Sequence, residues 1–264
     1  MRGFGAVYRK ELYSLFASPV FYVVAAVFLI ITGYFFYNLV AYYSLVSFQA
    51  SQNPMAMRQL NVTNMVVGPF FGDVSIVLLL ISPLLTMRLY AEERKTGTIE
   101  LLFTYPISDM ATLLAKFAAV FSAFLLILAG TLPGMLLLGY VGDPNWKALL
   151  CGYLGTALLG AAFLSLGQFT SSLTQNQIIA AVLSFGALLM FWVIGWVKNL
   201  VGQSMGRFVE YVSVTKHFES FTKGVLDSRD LIYYLLFVAL FLFFTLRQMA
   251  VSYTHLTLPT IYSV

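Results

Sequence analysis

Six stretches of this chain, each of about membrane-spanning length, are almost purely apolar, at residues 20–42, 66–87, 111–138, 148–170, 178–197 and 231–246. A helix crossing the roughly 30 Å hydrocarbon layer of a bilayer needs about 20 such residues, because each unpaired backbone amide or carbonyl in lipid costs several kcal/mol. Only 10% of the 264 residues are charged and 60% are hydrophobic. A typical soluble domain carries about a quarter charged residues, so most of this chain faces lipid or other helices. The expectation is an all-α polytopic membrane protein with about six transmembrane helices, forming one domain over residues 1–250. The first apolar run is too long for a signal-peptide core and reads as a retained anchor.

The charges that exist are placed where they set orientation. Arg2, Arg9 and Lys10 precede the first run and Arg88, Arg94 and Lys95 follow the second, while the loop between holds only Arg58. Lysine and arginine collect on the cytoplasmic side, which puts the N-terminus there. The loop at 198–230 pulls the other way with Lys198, Arg207, Lys216, Lys223 and Arg229, offset by Glu210, Glu219, Asp227 and Asp230. A net charge of +4 spread this thinly points to no nucleic-acid partner. The single Cys151 excludes an internal disulfide and a cysteine metal cluster, and no other metal-ligand pattern occurs.

Ahead of the first span, Phe4, Val7, Tyr8, Leu12, Leu15 and Phe16 recur at helical spacing around Arg9, Lys10 and Glu11. They predict an interfacial helix over residues 3–17, ended by Ser18-Pro19, since the residue before a proline is driven out of helical geometry. Between the second and third spans, residues 88–110 carry Glu92, Glu93, Arg94 and Lys95, then a short piece bounded by Gly97 and Pro106. Charges of this density stay out of hydrocarbon, so the loop lies at the membrane surface, where a short helix can dock on a partner.

The run AEERKTGTIELLFTYPISD resembles the loop between the first two core helices of the ABC-2 family of ATP-binding-cassette permeases, and Tyr8-Arg9-Lys10-Glu11-Leu12 with Ser18-Pro19 resembles that family's pre-span segment. The likeness covers nearly the whole chain. More narrowly, SPLLTMRLYAEERKTGTIELLFTYPISD and KHFESFTKGVLDSRDLIYYL resemble the branch associated with bacterial gliding motility, with nitrous-oxide-reductase maturation permeases near relatives. The resemblance implies an exporter permease in a bacterial inner membrane, coupled to a cytoplasmic ATPase and paired with itself or a second permease. It implies that Gly97, Thr98, Glu100, Leu101 and Leu102 form a coupling helix, with Glu92, Glu93, Arg94 and Pro106 in the same ATPase-coupling set. Arg9, Lys10 and Glu11 then belong to the interfacial helix. An extracytoplasmic accessory protein at the 198–230 loop is a further implied partner.

The sequence has no G-x-x-x-x-G-K-[ST] phosphate loop, so ATP and magnesium belong on a separate subunit and no cofactor on this one. Asp73 is the one carboxylate well inside a span, which makes it a candidate pathway residue. Gly152, Thr156 and Gly160, like Gly130 and Gly134, recur every four residues and predict close helix packing within the chain. Two other classes compete. A membrane hydrolase would use Ser204 in Gly202-Gln203-Ser204-Met205-Gly206, but that motif needs a strand before it and a histidine base, and His217 and His255 do not provide one. A secondary transporter would show broken helices in paired halves, a pattern absent from the sequence. The aromatics Phe208, Tyr211, Phe218 and Phe221 predict short helices on the outer membrane surface. Asn61-Val62-Thr63 matches a glycosylation pattern by chance. Residues 251–264 lack the basic ending usual in the family and read as a non-native tail.

Overall fold

The computed structural model describes residues 3–51, 60–98, 107–195, 206 and 211–257. Every regular element among them is helical. In chain order these are α1 (Phe4–Ala17), α2 (Pro19–Ala50), a π-helical turn (Thr63–Val67) running into α3 (Gly68–Thr86), α4 (Ala91–Thr96) and α5 (Asp109–Ala129). Then come α6 (Leu132–Gly142), α7 (Trp146–Leu173), α8 (Gln177–Val193), α9 (Val214–Thr222) and α10 (Ser228–Thr257).

Among the described residues, five helical stretches are long and apolar enough to cross a membrane: Pro19–Ala50, Thr63–Thr96, Asp109–Tyr140, Trp146–Leu173 and Ser228–Ala250. The remaining expected span appears as the shorter α8, which starts where the Asn176 side chain accepts from the amides of Ile178 and Ile179. Its predicted end at 197 lies outside the described residues. The helices alternate in direction. Arg88 at the end of α3 donates to Ser18 before α2, at 2.8 Å, so these termini share one end of the bundle. At the other end the start of α3 meets α9, where Gly68 faces the carbonyl of Thr222.

Helix α7 is the most enclosed of the spans, and α2 and α10 are the least. The small residues of α7 explain its position. Gly152 lies against the ring of Phe71, Gly155 against Phe221 and Gly160 against Phe124, with no room for a Cβ at any of the three. The four-residue glycine spacing therefore packs helices of one chain together, as expected from its pattern. Gly130 is pressed on Leu29, and Gly134 faces the Phe36 ring, seating α5 and α6 against α2.

Two features depart from the sequence reading. The third span breaks between α5 and α6, because Pro133 near the α6 start lacks an amide proton and its ring displaces the carbonyl four residues back. Thr131 bridges the break, donating to the Leu128 carbonyl at 2.8 Å and sharing a hydrogen bond with the Tyr153 hydroxyl at 2.8 Å. Secondly, α9 does not lay its apolar face on the membrane. Val214, Phe218 and Phe221 are buried in the bundle, because Gly155 leaves space for the Phe221 ring. The helix stops in a left-handed glycine turn: Gly224 (φ 75°) and Val225 donate to the carbonyls of Phe221 and Ser220.

Candidate functional site

At the end of the bundle where α1 and α4 lie, charges that the sequence places on a surface are turned inward. Lys116 sits two turns inside the otherwise apolar α5 and is buried. A lone buried ammonium is prohibitively costly, so it must be paired. Its Nζ lies 2.9 Å from Glu11 of α1 and 2.9 Å from Glu93 of α4, and donates to the Leu89 carbonyl at 2.8 Å. Lys10 closes the group, 2.6 Å from Glu93 and 3.3 Å from Glu11. Two lysines and two glutamates give no net charge, and three helices distant in sequence are locked at one point.

Glu11 is on the inner face of α1 because it follows Val7 by four residues, and these two are the buried residues of that helix. Arg9 is exposed on the opposite side. Burial works against the charge of Lys10, but its hydrogen bond to Glu93 and the fields of Glu93 and Glu11 outweigh that, so its pKa lies above the ordinary lysine value. The ammonium of Lys10 is charged throughout the physiological range.

A second set of contacts fixes the elbow between α3 and α4. The Ser171 hydroxyl, near the end of α7, donates to the Met87 carbonyl at 3.0 Å and accepts from the amides of Tyr90 and Ala91 at 3.1 and 3.2 Å. The amides at the start of α4 have no partner within that helix, and this one hydroxyl supplies it. Tyr90 is fully buried with its ring centroid 5.0 Å from Lys116 Nζ, and its hydroxyl accepts from Gln168 Nε2 at 3.4 Å. A cleft of about 550 Å³ runs between α1, α2 and α3, with Lys10, Ser18, Arg88, Glu92 and Glu93 on its polar wall and Phe21, Val24 and Leu85 on its apolar one.

Such a joint has no nucleophile paired with a base, and among the described residues no group of three or more metal-ligand side chains occurs. The joint ties α1 and α4 to α5, and the Ser171 contacts tie the elbow to α7. A family model for the ABC-2 family transporter proteins matches residues 5–261. The chain belongs to the ABC-2 family. A comparison with curated proteins finds no match.

In this ABC-2 protein the residues read as an ATPase-coupling set divide into two groups. Glu93 faces inward to Lys10 and Lys116, whereas Glu92, Gly97 and Thr98 are exposed beside it and Arg94 is half-buried. Gly97 ends α4 with φ 71°, a left-handed conformation that glycine adopts without strain. Glu100, Leu101, Leu102 and Pro106 lie outside the described residues, as does Ser204. Asp73 is half-buried early in α3, far along the bundle from the joint, and carries no ion pair among the described residues. The sequence reading did not single out Lys116, Tyr90, Gln168 or Ser171. A lone lysine two turns into an apolar run was the available signal for the first; nothing local marks the other three.

Proposed function

We propose that this ABC-2 chain is the membrane-spanning permease subunit of an ATP-driven exporter, contributing half of a translocation path and taking its energy from a separate cytoplasmic ATPase. The observation carrying this reading is the buried Lys10–Glu11–Glu93–Lys116 joint. It links α1, and the elbow leading into residues 99–106, to α5 and the end of α3, and the separate Ser171 contacts add α7. Closure of ATPases docked on that loop would move these spans as a body, and rocking of two such bodies would expose a path alternately to each side. The second body is another copy of the chain or a related permease. The N-terminus lies in the cytoplasm of a bacterial cell, the resemblance to the gliding-motility branch suggests a role in that machinery, and an extracytoplasmic partner has α9 and its surroundings to bind.

Purification of the tagged protein from its host in mild detergent is expected to bring down a P-loop ATPase in stoichiometric amount. Glu100→Arg should reduce the captured ATPase roughly tenfold, equivalent to about 1.4 kcal/mol of docking energy. Copurified motility components would support the narrower branch. An ATPase that is absent, or that binds Glu100→Arg equally well, would refute the coupling assignment.

Asp73 is proposed to line the path, because a carboxylate without an ion pair in a span is retained for a reason other than stability. Asp73→Asn should slow transport-stimulated ATP hydrolysis several-fold in the reconstituted complex while leaving ATPase capture intact. An unchanged rate and unchanged pH profile would remove Asp73 from the path.

A further inference from the structure

At the end of the bundle opposite the charged joint, His217 of α9 makes two contacts that between them fix how many protons it holds. Its Nε2 lies 3.2 Å from the backbone carbonyl of Tyr211, and its Nδ1 lies 2.7 Å from Oδ1 of Asp230 at the start of α10. A carbonyl only accepts, so Nε2 carries hydrogen in this arrangement. A neutral imidazole has one N–H, which would leave the Nδ1 lone pair facing a carboxylate oxygen at 2.7 Å, a repulsive contact. One further proton therefore lies between Nδ1 and Oδ1. The surroundings hold the pair in place: Asp230 is buried, its Oδ2 has no hydrogen-bond partner, and the His217 ring stacks on Tyr233 with centroids 3.9 Å apart.

We propose that this shared proton controls a tether between α9 and the segment entering it. With the proton present, His217 holds both Asp230 and the Tyr211 carbonyl. Without it, the single remaining N–H goes to the carboxylate, because a hydrogen bond to an ionised acceptor is about twice as strong as one to a neutral carbonyl. The Nε2 lone pair then faces the carbonyl of Tyr211 and releases it. Two neighbouring anchors do not depend on this proton: Tyr233 donates to the Val212 carbonyl at 2.8 Å and Tyr234 to that of Val214 at 2.9 Å. The loss is thus confined to the stretch around Tyr211, whose side chain is exposed.

Among the described residues, the charged groups of α9 pair with one another, and Asp227 accepts from the Arg229 amide at the start of α10. On α9 itself Lys216 and Lys223 both pair with Glu219, at 3.2 and 2.7 Å. The Lys223 hydrogen bond, against some burial, holds the Glu219 carboxylate below its ordinary pKa. From α10, Asp230, Tyr233 and Tyr234 face the clasp. The neighbours α3, α7 and α8 meet α9 through Gly68, Ala148 and Gly155, and Trp192, and among the described residues Asp230 is the sole ion-pair partner of His217.

Hydrogen exchange of the whole protein in lipid nanodiscs, corrected for the intrinsic rate and measured as a function of pH, tests the proposal. Protection of the peptide spanning residues 211–216 should fall by roughly fivefold as pH rises, the equivalent of one ordinary hydrogen bond. Asp230→Asn should abolish that pH dependence, because an amide N–H can donate to Nδ1 of a neutral ring and leave Nε2–H on Tyr211 at every pH. Protection that is flat with pH in the native protein, or equally pH-dependent in Asp230→Asn, overturns the proposal. A nitrogen NMR measurement in a His255→Gln background leaves one histidine and needs no change at the clasp. Loss of hydrogen from Nε2 in step with the loss of protection supports the tether; an Nε2 that keeps its hydrogen throughout refutes it.

Discussion

Lys116→Met is expected to lower the free energy of unfolding by about 3–5 kcal/mol, the cost of stranding buried carboxylates without their partner. The lysine side chain is 1% exposed and those of Glu11 and Glu93 are 8% and 12% exposed, so little water is available to take its place. Lys10, more than half exposed, reaches both glutamates and recovers only part of the loss. The experiment is a denaturant or thermal unfolding series in detergent on the purified protein. Changing Glu11 and Glu93 to Gln in the Lys116→Met background should restore much of the stability, because replacing a whole buried ionic group by neutral side chains of similar size is often close to neutral. A single variant within about 0.5 kcal/mol of the native protein would show that the three charges are not mutually dependent.

Gly152→Ala and Gly160→Ala should each destabilise by about 1–3 kcal/mol, as expected of overpacking. The added methyl would overlap the ring of Phe71 in the first case and Phe124 in the second. The two positions are eight residues apart, about 12 Å along the helix, so their effects should add. Gly186→Ala is the control: nothing lies within 4 Å of its Cβ position, and the change should stabilise by up to about 1 kcal/mol through helix propensity. Yields of monodisperse protein and unfolding midpoints in detergent report all three. If Gly152→Ala and Gly160→Ala behaved like Gly186→Ala, the glycine row would serve contacts between chains instead of within one.

The spans were legible because hydrocarbon imposes a length and a composition that few other environments demand. The Ser18-Pro19 break was legible for a similar reason, since proline acts on its immediate neighbour. What escaped reading depends on partners far away in the chain. Lys116 finds Glu11 across 105 positions, and Ser171 finds Met87 across 84, so neither pairing leaves a local pattern. Glu93 and Glu11 each sit in a charged cluster that reads as solvated surface, and only the placement of α1 and α4 beside Lys116 of α5 turns them inward. The α9 face was misjudged because an amphipathic helix looks the same whether its apolar side meets lipid or a glycine-lined seat. Pro133 was outweighed by the unbroken hydrophobicity around it, although its missing amide was sufficient reason to expect a break.

The Ser171 hydroxyl joins the α3–α4 elbow to the end of α7 through three backbone groups at once, and this decides where the molecule is stiff and where it yields. Bending the elbow means breaking several bonds on one oxygen, so α4 and the end of α7, the most enclosed span of the bundle, are held together. The break between α5 and α6 lies far along the bundle from this elbow and is held more lightly: there Thr131 stands in for the interrupted backbone ladder. Stiffness is thus concentrated at the charged end of the bundle, and the interrupted helix pair sits well along it, so the two ends differ in how firmly their helices are cross-tied.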